Sequence, residues 1–423
     1  MYIIGVILAI TNLGVCFALT FRMLKQKRLV AAVWLLISYF SFDYVLVSIS
    51  GAFSHVQNYS GHTVEVSQWM INQGLFFVFL YNVIFIIFGE FLSRKFGIKS
   101  TKTLWILPRN LPIPFQHLKH VFLGIFIIAT PFTISMYHGA LYEDYVEQNE
   151  SAWASVFYQC ALPIISIFCF QKKYRWALIL SLPSAFLAYQ MGVRSFLLPT
   201  LIAAGFIYIF QSVGFNRGIG SLFKNRKMIY STCLVSSALV VISFVTMSNK
   251  SSEQDFEFKL PDYGMAKQSL IILTIANDRS EQLGADSIIL YTRNWLNPFM
   301  RISPIKAKEI VDPPVKMAYL WEGIKPSSHK TIMHYPSMIY ADSYLASGFY
   351  GILYAFLWCF MCYGMEAVMA RNSYILSVCL PFYMWHSYML IRGAIAIAAV
   401  PFSYAFYFTA ALSIFFCGKR IFR

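Results

Sequence analysis

The chain contains eleven apolar runs of about 20 residues each, and this pattern limits the fold more than any other feature. A helix needs about 20 predominantly apolar residues to cross the hydrocarbon core of a bilayer. Only 13% of the residues are charged, against roughly 25% in ordinary soluble domains. We therefore predict an all-α, polytopic membrane protein with about 11 transmembrane helices. The runs lie at 2–21, 29–53, 69–92, 120–138, 154–170, 176–193, 195–213, 228–247, 343–366, 373–390 and 393–417.

Basic residues are concentrated in every second connection between these runs. Basic connections of membrane proteins face the cytoplasm, so we expect the N-terminus outside and the C-terminus inside. The net charge of +15 then reflects topology and contact with membrane lipid, and it does not indicate a nucleic-acid partner. The connections rich in Lys and Arg are 22–28, 94–119, 171–175, 217–227 and 418–423, whereas 54–68 and 139–153 contain none.

One connection, residues 248–342, is much longer than the others. We predict that it is an extracytoplasmic loop with short helices, between transmembrane helices 1–8 in residues 1–247 and helices 9–11 in residues 343–423. It contains eleven of the 34 Lys and Arg residues of the chain. Loops longer than about 15 residues are usually functional or disordered, and the aromatic residues of this loop favour a folded cap.

Two arginines, Arg194 and Arg392, lie in short connections that are expected outside, where the positive-inside rule disfavours cations. The planar guanidinium group binds phosphate oxygens bidentately. The long loop adds Arg279, Arg293 and Arg301. We predict that arginines of this set bind the pyrophosphate of a lipid carrier, with a snorkelling interfacial anchor as the alternative role of Arg194.

A transferase that uses such a pyrophosphate also needs a base for the attacking hydroxyl group. The segment 329–351, which leads into the ninth apolar run, contains His334, Asp342 and Tyr344. We predict these three as candidate catalytic residues. The alternatives are that His334 is an ordinary surface histidine and that Tyr344 belongs to the aromatic belt of the membrane interface.

Three features of the chain occur together. The first is the sequence Gly192-Val-Arg194-Ser195, which follows an apolar run in the middle of the chain, and the second is the single large loop late in the chain. The third is the exit from that loop, Pro-Ser…(Asp/Glu)-x-Tyr…Gly-x-x-Gly. In these features the chain resembles the Wzy-type polymerases of bacterial O-antigen and capsule assembly, within the group that includes the O-antigen ligases. The residues of the exit pattern are Pro336, Ser337, Asp342, Tyr344, Gly348 and Gly351.

The resemblance implies a metal-independent glycosyltransferase without a cofactor, in the bacterial cytoplasmic membrane. It implies transfer of a growing glycan from undecaprenyl diphosphate to an incoming lipid-linked repeat unit, at a site that faces outside. By position, Arg194 would bind the donor diphosphate with help from Arg279 or Arg293, and His334 or Asp342 would orient or deprotonate the acceptor hydroxyl. The flippase and the chain-length regulator of the same pathway are the protein partners that it implies.

Four other classes of protein stay open. One is an integral-membrane acyltransferase, for which we find no His-x-x-x-x-Asp motif at a membrane edge. An O-antigen ligase uses the same carrier and differs in its acceptor. A flippase would show repeat symmetry and charges at mid-depth, whereas we expect few buried charges, because Asp43 is the one carboxylate deep in a predicted span. A metal-dependent glycosyltransferase would have an acidic pair in its first outside loop, but that loop has only Glu65, and the pair Glu143-Asp144 lies in the second.

Overall fold

The computed structural model describes residues 2–50, 56–57, 63–64, 67–98, 104–137, 153–191, 197–212, 286–296, 338–392 and 395–417. These residues are almost entirely helical, apart from an antiparallel pair of two-residue strands, β1 (Val56–Gln57) and β2 (Thr63–Val64). A 3-10 helix, Gly348–Leu353, connects α10 to α11. The helices are α1 (Tyr2–Lys25), α2 (Ala31–Ser50), α3 (Gln68–Lys95), α4 (Ile113–Tyr137), α5 (Trp153–Ala161), α6 (Pro163–Phe170), α7 (Tyr174–Met191), α8 (Leu198–Ser212), α9 (Asp286–Leu296), α10 (Met338–Ser347), α11 (Tyr354–Met369), α12 (Ser373–Arg392) and α13 (Ile395–Cys417).

Among these residues, five helices are long and apolar enough to cross a membrane by length and composition. Large apolar side chains point outward from the bundle: Ile4, Ile127 and Leu178 are each more than half exposed. So many exposed large apolar side chains are unusual on a water-soluble monomer. The protein is therefore a helical membrane protein, as its composition predicts. The five helices are Ile3–Lys25, Gln68–Lys95, Ile113–Ser135, Met338–Met369 and Ser373–Arg392, and shorter apolar helices lie at Ala31–Leu46, Val156–Phe170, Thr200–Gln211 and Ala398–Ile414.

Ten of the eleven predicted runs coincide with helices, and the run 228–247 lies outside the described residues. The run 154–170 is broken into α5 and α6 at Pro163. Proline has no amide hydrogen, and its ring clashes with the carbonyl group four residues earlier. The backbone N–H of Leu162 accordingly donates to the carbonyl of Gln159, three residues back, at 3.2 Å. The total of eleven spans stays a prediction.

The predicted run 343–366 is not one straight helix. It begins earlier, at Met338, and it is interrupted by the 3-10 helix between α10 and α11. Gly348 has a φ of +59°, a conformation that glycine adopts at no steric cost. A Cβ atom on Gly351 would lie 1.9 Å from the carbonyl oxygen of Ser343. The two glycines therefore let the chain turn back tightly on α10.

Helix α12 is the central helix of the bundle. It contacts α2, α6, α8, α10, α11 and α13, and 89% of its span is buried. A helix that is apolar on all sides is expected in such a position. Because only residues 370–372 join α11 to α12, Tyr354 at the start of α11 and Arg392 at the end of α12 lie at the same end of the bundle.

The basic connections meet at the opposite end. The Lys27 ammonium group, after α1, donates to the carbonyl of Phe210 near the end of α8. The N–H of Leu107, after α3, donates to the carbonyl of Phe170 at the end of α6, at 3.1 Å. Arg22 and Glu90 join the ends of α1 and α3 through a 2.8 Å ion pair. We call this the basic end; its cations include Arg22, Lys25, Lys27, Arg28, Arg94, Lys95, Lys172 and Lys173.

Candidate functional site

Helix α9 belongs to the long connection, and it docks on the bundle. It packs along α13 and also contacts α10. Its Tyr291 side chain is buried, and burial raises the pKa of the Tyr291 hydroxyl well above its ordinary value. Tyr291 is therefore a neutral phenol that can donate a hydrogen bond. Arg293, two residues later, is only partly buried.

Tyr291 contacts a buried histidine that sequence reasoning missed. The Tyr291 hydroxyl lies 3.1 Å from Nε2 of His386, a residue of α12 with no exposed surface. The Tyr291 ring also packs against Trp358, with 5.0 Å between the ring centroids. We call the rings around this contact the α9 cluster: Tyr291, Trp295, Trp358, His386, Phe402 and Phe406.

Three buried nitrogen atoms of the α9 cluster have no hydrogen-bond partner among the residues that the structure describes. They are Nδ1 of His386 and the indole Nε1 atoms of Trp358 and Trp295. In a neutral imidazole one nitrogen donates and the other accepts, so the Tyr291 contact satisfies only one of the two nitrogens of His386. Buried polar atoms without partners are uncommon in folded proteins and call for an explanation.

Four of the predicted site residues are described, and they lie on three neighbouring helices, α9, α10 and α12. Arg293 is on α9, Asp342 is buried on α10, and Arg392 is the last residue of α12. Helix α10 contacts both α9 and α12. The Arg392 guanidinium lies over the ring of Tyr388, 5.9 Å from its centroid. Tyr344, also on α10, packs edge-on against Phe77 of α3, with 5.3 Å between the ring centroids. Its ring therefore contacts α3.

The other three predicted residues, Arg194, Arg279 and His334, lie outside the described residues. Their roles stay predictions from the sequence.

A hydrogen-bonded network holds α10 against the first three helices. The Tyr340 hydroxyl donates to Oδ1 of Asn82 at 3.0 Å, and Nδ2 of Asn82 donates to Oδ1 of Asn12 at 2.9 Å. Nδ2 of Asn12 in turn donates to the hydroxyl of Ser41 at 3.0 Å. We call Asn12, Ser41, Asn82 and Tyr340 the asparagine network. Because Tyr340 is two residues before Asp342, the network fixes the helix that carries this carboxylate.

A second anchor lies on the other side of Asp342. The hydroxyl of Ser343 donates to the carbonyl of Ile339 at 2.7 Å, so the Tyr81 hydroxyl, 3.3 Å away, is left to donate to Ser343. Interhelical hydrogen bonds of this kind contribute roughly 0.6–2 kcal/mol each in a membrane. Helix α10 is thus held to α3 at Tyr340 and at Ser343.

A buried ion pair lies at the basic end, and it involves two of the three buried Asp, Glu, Lys and Arg side chains of the described residues. The Arg28 guanidinium donates twice to Glu366 of α11, from Nε at 3.2 Å and from Nη2 at 2.5 Å. It also donates to the hydroxyl of Ser93 at 2.9 Å, and the N–H of Val30 donates to Glu366 at 3.3 Å. Asp43, predicted as the deep carboxylate, is only partly buried.

The sequence does not predict the Arg28–Glu366 pair. Arg28 lies in a basic connection and Glu366 at the last position of a predicted run, so both residues are expected at the edge of the membrane. Both are buried because the connection after α1 folds over the end of α11. Tyr363, one turn before Glu366, completes the site: its ring centroid lies 5.4 Å from the Arg28 guanidinium.

Six cysteines are free thiols, Cys16, Cys160, Cys169, Cys359, Cys362 and Cys379, and the pair at positions 359 and 362 is buried in α11. The Cys359 thiol donates to the carbonyl of Phe85 at 3.4 Å. Within the described part of the chain, no group of three or more His, Cys, Asp or Glu side chains is arranged to hold a metal ion.

The chain matches no protein-family model, and no curated protein or solved structure is similar enough to it to indicate a relationship.

Proposed function

We propose that the protein polymerises undecaprenyl-diphosphate-linked oligosaccharide repeat units into a surface polysaccharide, O-antigen or capsule, at the outer face of the bacterial cytoplasmic membrane. The resemblance of the sequence motifs to the Wzy-type polymerases motivates this proposal. The structural observation that carries it is the docking of α9, with Arg293, against α10, with Asp342, which in turn contacts α12, with Arg392 at its end. Cations and a carboxylate of the predicted set thus lie on neighbouring elements.

The orientation in the membrane is part of the proposal. The basic end of the bundle would face the cytoplasm, in keeping with the positive-inside rule. Arg392 and the start of α11 lie at the opposite end, which would then face the periplasm, where the lipid-linked repeat units are delivered. Eleven spans, with the N-terminus outside and the C-terminus inside, fit this orientation.

The proposed reaction is a glycosyl transfer. A hydroxyl group of the incoming repeat unit attacks the anomeric carbon of the growing glycan, a new C–O bond forms, and the bond from that carbon to the diphosphate breaks. The leaving diphosphate gains negative charge, which arginines stabilise. We assign this role to Arg194 with Arg279, Arg293 or Arg392.

The proton of the attacking hydroxyl needs an acceptor. We assign this role to Asp342 or His334. Hydrogen bonds on either side of Asp342, from Tyr340 to Asn82 and between Tyr81 and Ser343, anchor the helix that carries it. A base on an anchored helix needs little rearrangement of the backbone to reach its transition-state geometry.

Deletion of the gene, followed by gel electrophoresis of the surface glycan, tests the proposal. A polymerase mutant retains glycan with a single repeat unit and loses the ladder of longer chains. Loss of all surface-linked glycan would instead indicate the ligase or the flippase. Complementation with the wild-type gene should restore the ladder.

A further inference from the structure

We propose that the α9 cluster is a saccharide-binding subsite, in which a sugar ring of the lipid-linked repeat unit packs against the aromatic side chains and one of its hydroxyl groups pairs with Nδ1 of His386. This inference rests on the proposed function, and it names a binding site that the sequence motifs do not include.

The chemistry of the cluster suits a sugar. The Tyr291 ring packs against the rings of Trp358 and Phe402, so these apolar faces become available when α9 moves. A pyranose has an apolar face of C–H groups with hydroxyl groups around its edge. Ligand sites between helices are typically lined by aromatic side chains with a few convergent polar groups. Trp and Tyr combine a large apolar body with one polar handle, so they contact both parts of such a ligand.

The unpartnered nitrogen atoms provide a second and independent observation. His386 and Trp358 are almost completely buried, at 0% and 1% exposure, yet Nδ1 of His386 and Nε1 of Trp358 have no partner among the described residues. An unpaired buried polar group costs about 1–3 kcal/mol. Sugar hydroxyl groups both donate and accept hydrogen bonds, so they would satisfy either tautomer of the imidazole together with the indole N–H.

Helix α9 covers the cluster, and it would move to let the sugar enter. It is 11 residues long, and isolated helices shorter than about 12–15 residues are marginal in water, so α9 depends on its contacts with the bundle. In the structure Tyr291 covers His386. Displacement of α9 opens the cluster, and the sugar then lies between the rings of α9 and those of α11, α12 and α13, within reach of Nδ1 of His386.

The position of the cluster agrees with this role. Arg293 follows Tyr291 by two residues on α9, and Arg392 follows His386 by six residues on α12. Trp358 lies close to the start of α11, at the same end of the bundle as Arg392. A sugar in the cluster would therefore lie near the arginines that are proposed to bind its diphosphate.

The test is isothermal titration calorimetry, which measures the affinity of the full-length protein in nanodiscs for two probes. One is the undecaprenyl-diphosphate-linked repeat unit isolated from cells that lack the gene, and the other is undecaprenyl diphosphate alone. The variants are His386→Gln, which keeps an amide nitrogen near the position of Nε2 but has no counterpart of Nδ1, and Trp358→Phe, which keeps a ring but not the N–H. Trp385→Phe is the matched control. Trp385 is buried next to His386 on α12, its Nε1 also has no partner within the described part of the chain, and it lies outside the cluster.

We expect His386→Gln and Trp358→Phe each to bind the repeat unit about tenfold more weakly than the wild type, which corresponds to roughly 1.4 kcal/mol. Binding of undecaprenyl diphosphate should be unchanged, and Trp385→Phe should behave as the wild type with both probes. The subsite is wrong if both cluster variants bind the repeat unit as tightly as Trp385→Phe does. The subsite is also wrong if the cluster variants lose affinity for both probes equally, because undecaprenyl diphosphate contains no sugar and the loss would then not come from sugar binding.

A third outcome concerns the proposed function. If the wild-type protein binds neither probe, the polymerase proposal fails, and the subsite that rests on it fails with it. Wild-type binding of the repeat unit with unaffected cluster variants would leave the polymerase proposal standing and remove only the subsite.

Discussion

Arg28 and Glu366 lie 338 positions apart in the sequence and form a buried bidentate ion pair, with Nη2 of the guanidinium 2.5 Å from Oε2 of the carboxylate. The two side chains are 4% and 0% exposed. Arg28 also donates a hydrogen bond to the Ser93 hydroxyl, and Glu366 also accepts one from the N–H of Val30. The pair therefore ties the connection after α1 to α3 and α11 at the basic end of the bundle.

Glu366→Gln should destabilise the protein strongly, because it leaves the Arg28 charge buried without a counter-ion. Breaking a buried pair from one side typically costs about 3–5 kcal/mol. The measurement is the thermal unfolding midpoint of the purified protein in detergent. Arg22→Ala is the control, since the Arg22 side chain of the Arg22–Glu90 pair is 53% exposed and such pairs contribute about 0–1 kcal/mol.

The double variant Arg28→Met with Glu366→Met separates charge from packing. Replacing both partners of a buried pair with apolar residues is often neutral, so it should recover part of the stability lost in Glu366→Gln. Equal midpoints for Glu366→Gln and Arg22→Ala would contradict the structural role of the pair.

Gly351→Ala should prevent correct folding of the corner between α10 and α11. The Cβ atom of an alanine at position 351 would lie 1.9 Å from the carbonyl oxygen of Ser343. This oxygen is a backbone atom, so it cannot move aside as the end of a flexible side chain can. Gly364→Ala, on α11, is the control, because no atom of the residues that the structure describes lies within 4 Å of its Cβ position. Alanine there should be neutral or stabilising by up to about 1 kcal/mol.

Fluorescence-detected size-exclusion chromatography of tagged variants measures this difference. We expect a single monodisperse peak for Gly364→Ala and an aggregated or absent peak for Gly351→Ala. Two indistinguishable profiles would show that the chain does not turn back on itself at Gly351.

Asn82→Leu should loosen α10 by removing the centre of the asparagine network. The change leaves the Tyr340 hydroxyl and the Asn12 amide group without their shared partner, and we expect a loss of about 1–2 kcal/mol of stability. Polymer formation should fall further than the amount of inserted protein, because Asp342 is on α10. The control is Asn72→Leu, on the same helix, whose amide group accepts a hydrogen bond from nearby Gln68 and is only partly buried. Equal unfolding midpoints and equal polymer yields in the two variants would contradict the anchoring of α10.

The sequence was informative about the helices and much less so about their contacts. Runs of about 20 apolar residues predict helices because a bilayer requires them, and the described runs are helical. Which side of a helix faces the interior depends on its neighbours. His386 lies inside an apolar run with no local signal, and it becomes notable only because α9 brings Tyr291 within 3.1 Å of it.

The same reasoning explains the charges. Arg28 and Glu366 looked like residues at membrane edges, because their pairing depends on a contact between distant parts of the chain. Pro163, by contrast, carries a local signal for the break between α5 and α6, since its effect on a helix needs no tertiary contact. Gly348 and Gly351 are part of the exit pattern in the sequence, but only the fold shows that the chain turns back on α10 at these positions.

Arg194→Ala should abolish chain extension without impairing insertion, and Arg194→Lys should restore little activity. Lysine keeps the charge but lacks the planar fork that binds a diphosphate bidentately. Removing one such donor typically lowers a rate by about 10²–10³. Arg109→Lys, in an exposed basic connection, is the control for the substitution itself. The glycan ladder on a gel is the readout, and normal-length polymer from Arg194→Lys would favour the interfacial-anchor role.

The most direct test of the polymerase proposal uses the purified protein alone. Wild-type protein in nanodiscs is incubated with the undecaprenyl-diphosphate-linked repeat unit and a chelator, and the products are resolved on a gel. We predict a ladder of lipid-linked oligomers that differ by one repeat unit, formed in the presence of the chelator. A substrate that stays as a single repeat unit, with correctly folded protein present, would contradict the proposed function.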